Sequence, residues 1–498
     1  MMKIRKILRV ISVVIFAVLL SCCGTSSQDI VVGAPMGEKG TSSTPFNTPA
    51  QSIEASGSPA SSQTAASAAA TPTNTPLPPT PTPESLNQRG PWFVFYNWID
   101  DNYYAVNHDS TGLTKVNTTH TAPGTLAGSP FGGRLAYTTE QSETVVWDIS
   151  LVIVDLPEIR FETGIPIIER SLRSEMDVFD AMSIEEVAQD MAWSPDGRYL
   201  AFNAALDGPN ADLYLYDTTT KHYSRLSSGS THSFDPVWSP DGKSIVYLGI
   251  DSINHGLSVQ SVWSTDVLGQ HIWLFDGKSE PYLPLQYVSN EVVLIEHLND
   301  NYNPIGLYTV NINNPGKTLV YDGYFTKTAV DSKTGNVALV LGAKDDALHS
   351  DIAIVSTLAN DLSPILLSTG GNILSLEWSS SKQRFVAGLE KQMIQFDSQG
   401  VITHTLPYGG IASVSPDGTR VAIYNQSKDT KQMMIVLLGS GMKKSYETGP
   451  IDEISWAPDS TGLFFTYKGQ LSYLATLPWF SDSPTQISAG ACSLTWVP

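Results

Sequence analysis

Cysteine is almost absent from this 498-residue chain: it has three, Cys22, Cys23 and Cys492. The first two sit at a candidate processing site, so residues 91–498 carry one thiol and no internal disulfide framework is expected there. Stability of that part must come from packing. Cys492 lies in an apolar strand pattern and reads as a small buried hydrophobe rather than a redox centre. Charge is scarce too, at 16% of residues, and basic charge is the scarcer kind: 29 Lys and Arg stand against 49 Asp and Glu, a net charge of −20. Removal of a signal peptide bearing Lys3, Arg5, Lys6 and Arg9 would leave 25 bases against 49 acids, or −24. A surface this acidic repels phosphate backbones, which excludes nucleic acid as an expected partner, and it offers anionic lipid heads no basic patch.

Catalytic signatures are missing as well. The chain has no HExxH, no Cys/His cluster with zinc spacing, no Gly-rich phosphate loop after a strand and no GxSxG elbow. No cofactor and no metal is expected. The oxygen-rich run Asn299–Asn303 lacks the glycine and distal glutamate of an EF-hand loop, and the plainer reading is a turn. Asp100, Asp101 and Asn102 read the same way. Nine histidines (His108, His120, His222, His232, His255, His271, His297, His349 and His404) are scattered one at a time, as loop and rim residues would be.

What is present begins with an address. A basic n-region precedes the apolar run Val10–Leu20, eleven residues long and so too short for a bilayer core, which needs about 20. Leu19-Leu20-Ser21-Cys22 resembles the bacterial lipobox, which implies that residues 1–21 are a lipoprotein signal peptide and that Cys22 becomes a lipidated N-terminus. A multi-chain lipid there would hold the protein at the membrane. Residues 22–90 are rich in Ser, Thr, Ala and Pro and too poor in large apolar side chains to offset ordering entropy, so they read as a disordered tether. A flexible coil of this length spans roughly 45 Å, and its TPTNTPLPPTPTP end favours polyproline II.

Residues 91–498 repeat one unit: a strand ending in Trp, a tight turn, then a second strand. MAWSPDGRYLAF (Met191–Phe202) and PVWSPDGKSIVYL (Pro236–Leu248) are the clearest copies. ASVSPDGTRVAIY, ISWAPDSTGLFFTY, LEWSSSKQRFVAGL and LAGSPFGGRLAYT keep part of it, and TAVDSKTGNVALVL and LQYVSNEVVLIEHL keep least. Pro presets the first turn residue, Asp bonds back to the backbone and Gly supplies positive φ. Third strands such as ADLYLYDTTT, HIWLFDG, KQMIQFDSQG and KQMMIVLLGSG follow, then shorter fourth strands such as HYSRLSSG and KSYETG. Four strands per 40–50 residues is the pattern of a propeller blade.

These motifs resemble the TolB-type propeller repeat, related to WD repeats, over nearly all of residues 91–498. The resemblance implies an all-β propeller of four-stranded blades that docks proteins. Leu494–Pro498 looks like a first strand cut off at its turn, and WFVFYNW, NYYAVNHD and a short strand near Leu113–Val116 supply the rest of that blade. Pairing them would close the ring and remove free sheet edges. Nine first-strand candidates give a range of seven to nine blades, with eight favoured because propellers usually have 4–8. Some peptidases place a propeller before an α/β-hydrolase domain; this chain ends as its ring closes, leaving no room for one.

Trp193, Trp238, Trp378, Trp456 and Trp496 recur with the repeat and read as core between blades. Trp98, Trp263 and Trp479 lie off that position and are the candidate ligand-binding residues, against a plainer reading of packing under long loops. Two stretches exceed the repeat, Ser171–Asp190 and Asp251–Gly269, and insertions in repeat proteins map to binding faces. The expected function is a non-catalytic protein-binding or scaffold module on the extracytoplasmic side of the cell membrane, with another envelope protein as partner. The alternatives are a polysaccharide-active lyase or hydrolase using channel-lining His and acids, and a glycan or solute sensor.

Overall fold

In the computed structural model, the described residues are 85–498 apart from 118–124, 142–147, 168–189, 208–209, 230, 251–258, 278–279, 300, 302, 343–350, 359–362, 426–431, 478–480 and 482. The candidate signal peptide, Cys22 and the tether up to residue 84 therefore lie outside the described residues. Among those described, 36 strands form nine four-stranded antiparallel sheets, the blades of an all-β propeller.

Each blade opens with an innermost strand: β4 (Leu126–Gly128), β8 (Met191–Trp193), β12 (His232–Trp238), β16 (Tyr282–Tyr287), β20 (Phe325–Asp331), β24 (Ile373–Ser379), β28 (Ile411–Val414), β32 (Glu453–Trp456) and β36 (Ala491–Val497). Blades 1 to 8 follow the chain from 126 to 488, each taking one of the first eight of these strands and the three strands after it. The ninth, closing blade joins β36 to β1 (Trp92–Asn97), β2 (Asn102–Asn107) and β3 (Thr114–Lys115). Its register sets Trp92 opposite Val497 and Phe93 opposite Trp496, so the two ends of the folded region share one sheet.

Neighbouring blades touch in ring order through their inner strands, while fourth strands such as β11 (His222–Arg225) and β27 (Ile402–Leu406) face solvent. The repeated tryptophans stitch the ring. Trp193 Nε1 donates to the Ala127 carbonyl at 3.1 Å, Trp238 to Ala192 at 2.9 Å and Trp456 to Ser413 at 3.2 Å, each in the preceding blade. Burying an indole is favourable only when its N–H finds an acceptor, and the exposed backbone of the next inner strand provides one. The turn chemistry is local. Ser194 Oγ meets Asp196 at 2.6 Å, Asp196 accepts from the Arg198 N–H, and Gly197 has φ +67°.

Nine blades is the top of the range the sequence allowed, not the favoured eight. The two most degenerate repeats are complete blades, blade 4 (282–322) and blade 5 (325–368). Their turns survive through substitute side chains, with Ser289 Oγ accepting from the Val292 N–H and Asp331 from the Lys333 N–H. The expected long loop at 251–269 is also corrected. Val259–Asp266 is the third strand of blade 3, β14, so HIWLFDG forms the fourth strand, β15 (His271–Asp276), and not the third. Only 251–258 exceeds the blade, because the strand's polar alternation hid it among turn residues.

Ser85–Gly90, which composition places in the tether, lie on the closing blade: Leu86 is buried and Asn107 caps the Asn87 N–H at 2.8 Å. Cys492 is fully buried opposite Tyr96, as its apolar strand predicts. It is also disulfide-bonded, which corrects the reading of a lone thiol. Residues 91–498 contain no second cysteine from which spacing could have revealed it.

Candidate functional site

The inner strands carry carboxylates at one recurring position. Asp190, Asp235 and Glu453 each stand three residues before the repeat tryptophan of their blade, Trp193, Trp238 and Trp456. Each is partly exposed, and the three are set by the same strand geometry at the start of β8, inside β12 and at the start of β32. Asp235 occupies a bulge in β12, between Phe234 and Val237, with φ +53°, a conformation that Asp tolerates better than most side chains.

Burial dominates their electrostatics. It pushes Asp190 up to about 7, helped by the charge of Asp235 and opposed by the Asp235 N–H that Asp190 accepts at 3.1 Å. Burial alone takes Asp235 up to about 6 and also raises Glu453. Glu296, on the second strand of blade 4, reaches about 7 for the same reason despite a hydrogen bond from Thr328 on β20. Glu377 on β24 is raised by burial while accepting the Val414 N–H of blade 7 at 3.0 Å. The seams near the ring's interior thus hold acids whose proton affinity burial raises, and such groups favour protons, cations or basic side chains as company.

Topology puts the longer connections at the same end. Inner strands begin on one face of the ring, and by antiparallel alternation fourth strands and second strands end there. Residues 168–189 connect blade 1 to the start of β8, and 251–258 connect β13 (Ser244–Ile250) to β14. The described strand ends flanking both segments therefore share the face on which Asp190 sits. Ser171–Gln189 themselves lie outside the described residues.

The candidate ligand-binding tryptophans are not brought together. Trp98 is 36% exposed in the turn after β1, in the closing blade. Trp263 is half-buried on β14, where its Nε1 donates to Ser261 Oγ at 2.6 Å and it packs beside Trp238 and Tyr247. Blades 1 and 2 separate the two. Trp479 lies outside the described residues. Among the described histidines, His232 is buried and accepts the Ala211 N–H, His108 meets Asp459 at 3.0 Å, His297 stacks on Tyr282, and His222, His271 and His404 sit on fourth strands. His120, His255 and His349 lie outside the described residues. Among the described residues, no three His, Cys, Asp or Glu side chains converge as metal ligands would. In the Asn299 turn, Asn299 Oδ1 is taken by the N–H groups of Asn301 and Asn303.

The acids at the position three before Trp were readable in the sequence once the repeats were aligned on Trp. Their pairing across a seam was not, since Asp190 and Asp235 are 45 residues apart.

No protein-family model matches the chain. Over 169 residues, 34% of this chain, it is 27% identical to the "Uncharacterized peptidase YuxL" of Bacillus subtilis (strain 168). Over 87 residues it is 26% identical to "Dipeptidyl-peptidase 5" of Porphyromonas gingivalis. It spans only 20% and 13% of the length of these two relatives. Among solved structures, one titled "Crystal structure of the eukaryotic initiation factor" superimposes with a TM-score of 0.57 at 11% identity, covering 82% of this chain and 99% of that one. That likeness shows the propeller fold alone.

Proposed function

We propose that this protein is a lipid-anchored, extracytoplasmic propeller that binds another envelope protein and catalyses no reaction. The observation that carries the reading is the coincidence on one face: Asp190 and the strand ends flanking both long connections lie together. Acids beside long connections suit a partner that presents Lys and Arg, because complementary charge steers encounter and fixes register. The overall charge of −20 works in the same direction. The partial likeness to two peptidases fits a shared propeller module; it covers too little of either to bring their activity with it.

In-cell crosslinking of the anchored protein, followed by mass spectrometry, is the test. Capture of one envelope protein, lost when Glu185 and Glu186 of the connection before β8 are both changed to Gln, is the expected result. Recovery of no protein partner, together with saturable binding of a defined glycan, would replace this reading with the sensor alternative.

A further inference from the structure

Asn203 poses a question that the rest of the seam between blades 2 and 3 does not answer. It is fully buried on β9 (Tyr199–Ala204), and its Oδ1 has no hydrogen-bond partner. Leaving a buried amide oxygen unpaired costs on the order of 1–3 kcal/mol, so a native fold that keeps one usually reserves it for a ligand or ordered water. The amide cannot simply be turned around. Its Nδ2 donates to the Ser233 carbonyl at 2.7 Å, and the reversed group would set oxygen against oxygen.

The surroundings supply what a ligand would need. The Asn203 N–H donates to the Asp190 carbonyl at 3.1 Å, so the two residues stand opposite one another and their side chains leave the sheet on the same face. Both reach β12, Asn203 at Ser233 and Asp190 at Asp235. Asp190 Oδ2 accepts the Asp235 N–H at 3.1 Å, which brings the two carboxyl groups into one neighbourhood. Other polar groups around them are engaged. Ser233 Oγ meets Ser227 Oγ at 2.6 Å, Ser227 bonds Asp212, Arg225 pairs with Asp212 at 2.5 Å, and His232 Nδ1 holds the Ala211 N–H. Among the described residues of this network the one cationic side chain, Arg225, is thus committed to Asp212.

We propose that Asp190, Asp235 and Asn203 Oδ1 form a calcium site in the seam between blades 2 and 3. All three donors are hard oxygens, which select Ca²⁺ or Mg²⁺ over softer metals. Ca²⁺ accepts irregular geometry and would complete its shell with water, since Asp190 and Asp235 are not wholly buried as residues. A bound cation would pair the orphan oxygen and neutralise the two carboxylates at once. It would also tie two adjacent blades together at the face proposed for binding.

The experiment is calorimetric titration of the full chain with CaCl₂ at pH 8, where proton competition is weakest, beside thermal denaturation over a range of CaCl₂. One Ca²⁺ per chain is expected, with Tm rising as calcium rises. Asp235→Asn should weaken binding at least about tenfold; it keeps the side-chain shape and tolerates the positive φ. Asp190→Asn, which still offers an acceptor to the Asp235 N–H, should do the same. Absence of saturable binding to the wild-type chain would overturn the proposal, and so would unchanged affinity in both variants. The wild-type titration decides the matter even if one variant fails to fold.

Discussion

Gly128 lies against the backbone of Trp496: a Cβ built on Gly128 would sit 1.9 Å from the Trp496 carbonyl oxygen. Gly128 occupies the repeat position that holds Trp in blades 2 and 3, and Trp496 closes the ring. The missing tryptophan of LAGSP is therefore a requirement of closure rather than decay of a repeat. The contact is reinforced by Thr495 Oγ1, which accepts the Gly128 N–H at 3.3 Å, and by Trp496 Nε1, which donates to Ser455 Oγ at 2.8 Å in blade 8.

Gly128→Ala should therefore open the seam between the closing blade and blade 1, destabilising the fold by about 3 kcal/mol, the upper end for overpacking. Gly439→Ala is the control, since nothing lies within 4 Å of its Cβ. Thermal denaturation of the two variants should show a large loss in the first and almost none in the second. Equal Tm values would mean that closure does not depend on this approach.

Arg420 stands one place further along its repeat than Arg198, where blade 2 has Tyr199, and the two arginines should behave differently. The Arg420 side chain is 1% exposed, pairs with Asp417 at 2.8 Å and donates to Thr476 Oγ1 at 3.0 Å. The Arg198 side chain is 48% exposed and pairs with Asp217 at 2.9 Å. Arg420→Ala should cost about 3 kcal/mol, because it empties the space of a fully buried side chain and strips Thr476 of its donor. Arg198→Ala should stay within about 0.5 kcal/mol. Urea unfolding of both variants measures the contrast.

Asp190 and Asp235 predict a pH dependence with a definite sign. Each has a folded-state value above its unfolded one, so its contribution is fully present below about pH 4 and is lost as pH rises through about 6 for Asp235 and about 7 for Asp190. Without added metal, Tm should fall between pH 5 and pH 8. Asp190→Asn with Asp235→Asn should flatten that fall, because the amides do not ionise. A doubly substituted chain with the wild-type slope would assign the dependence to other groups.

Cys22→Ser should move the protein from the membrane fraction to the soluble fraction and abolish incorporation of labelled palmitate. Cys23→Ser should leave both unchanged. Labelling that survives Cys22→Ser would place the anchor elsewhere.

Much of the fold was legible because its signals are local. Ser194, Asp196 and Gly197 make their turn within a few residues, and the strand patterns on either side need no distant partner to be recognised. The truncated repeat at Leu494–Trp496 could be matched to Trp92–Asn97 because a closed ring leaves one strand to find three. Blade 3 was misread where β14 carries Ser, Thr and Trp in alternation, a pattern that serves loops and strands alike. The tryptophans off the repeat drew attention by being unusual. The acids three residues before Trp did not, since a single carboxylate near a turn is commonplace.

The sequence alone determined that this chain is built of repeated four-stranded units joined end to end, because turn chemistry and strand alternation act over a handful of residues. Tertiary structure decided the rest. It made nine blades of the ring, since two units without consensus turns keep their strands through packing and substitute side chains. It also set Asp190, Asn203 and Asp235 around one seam. Blades meet only when the ring is assembled, and no local rule carries the position of one inner strand to its neighbour.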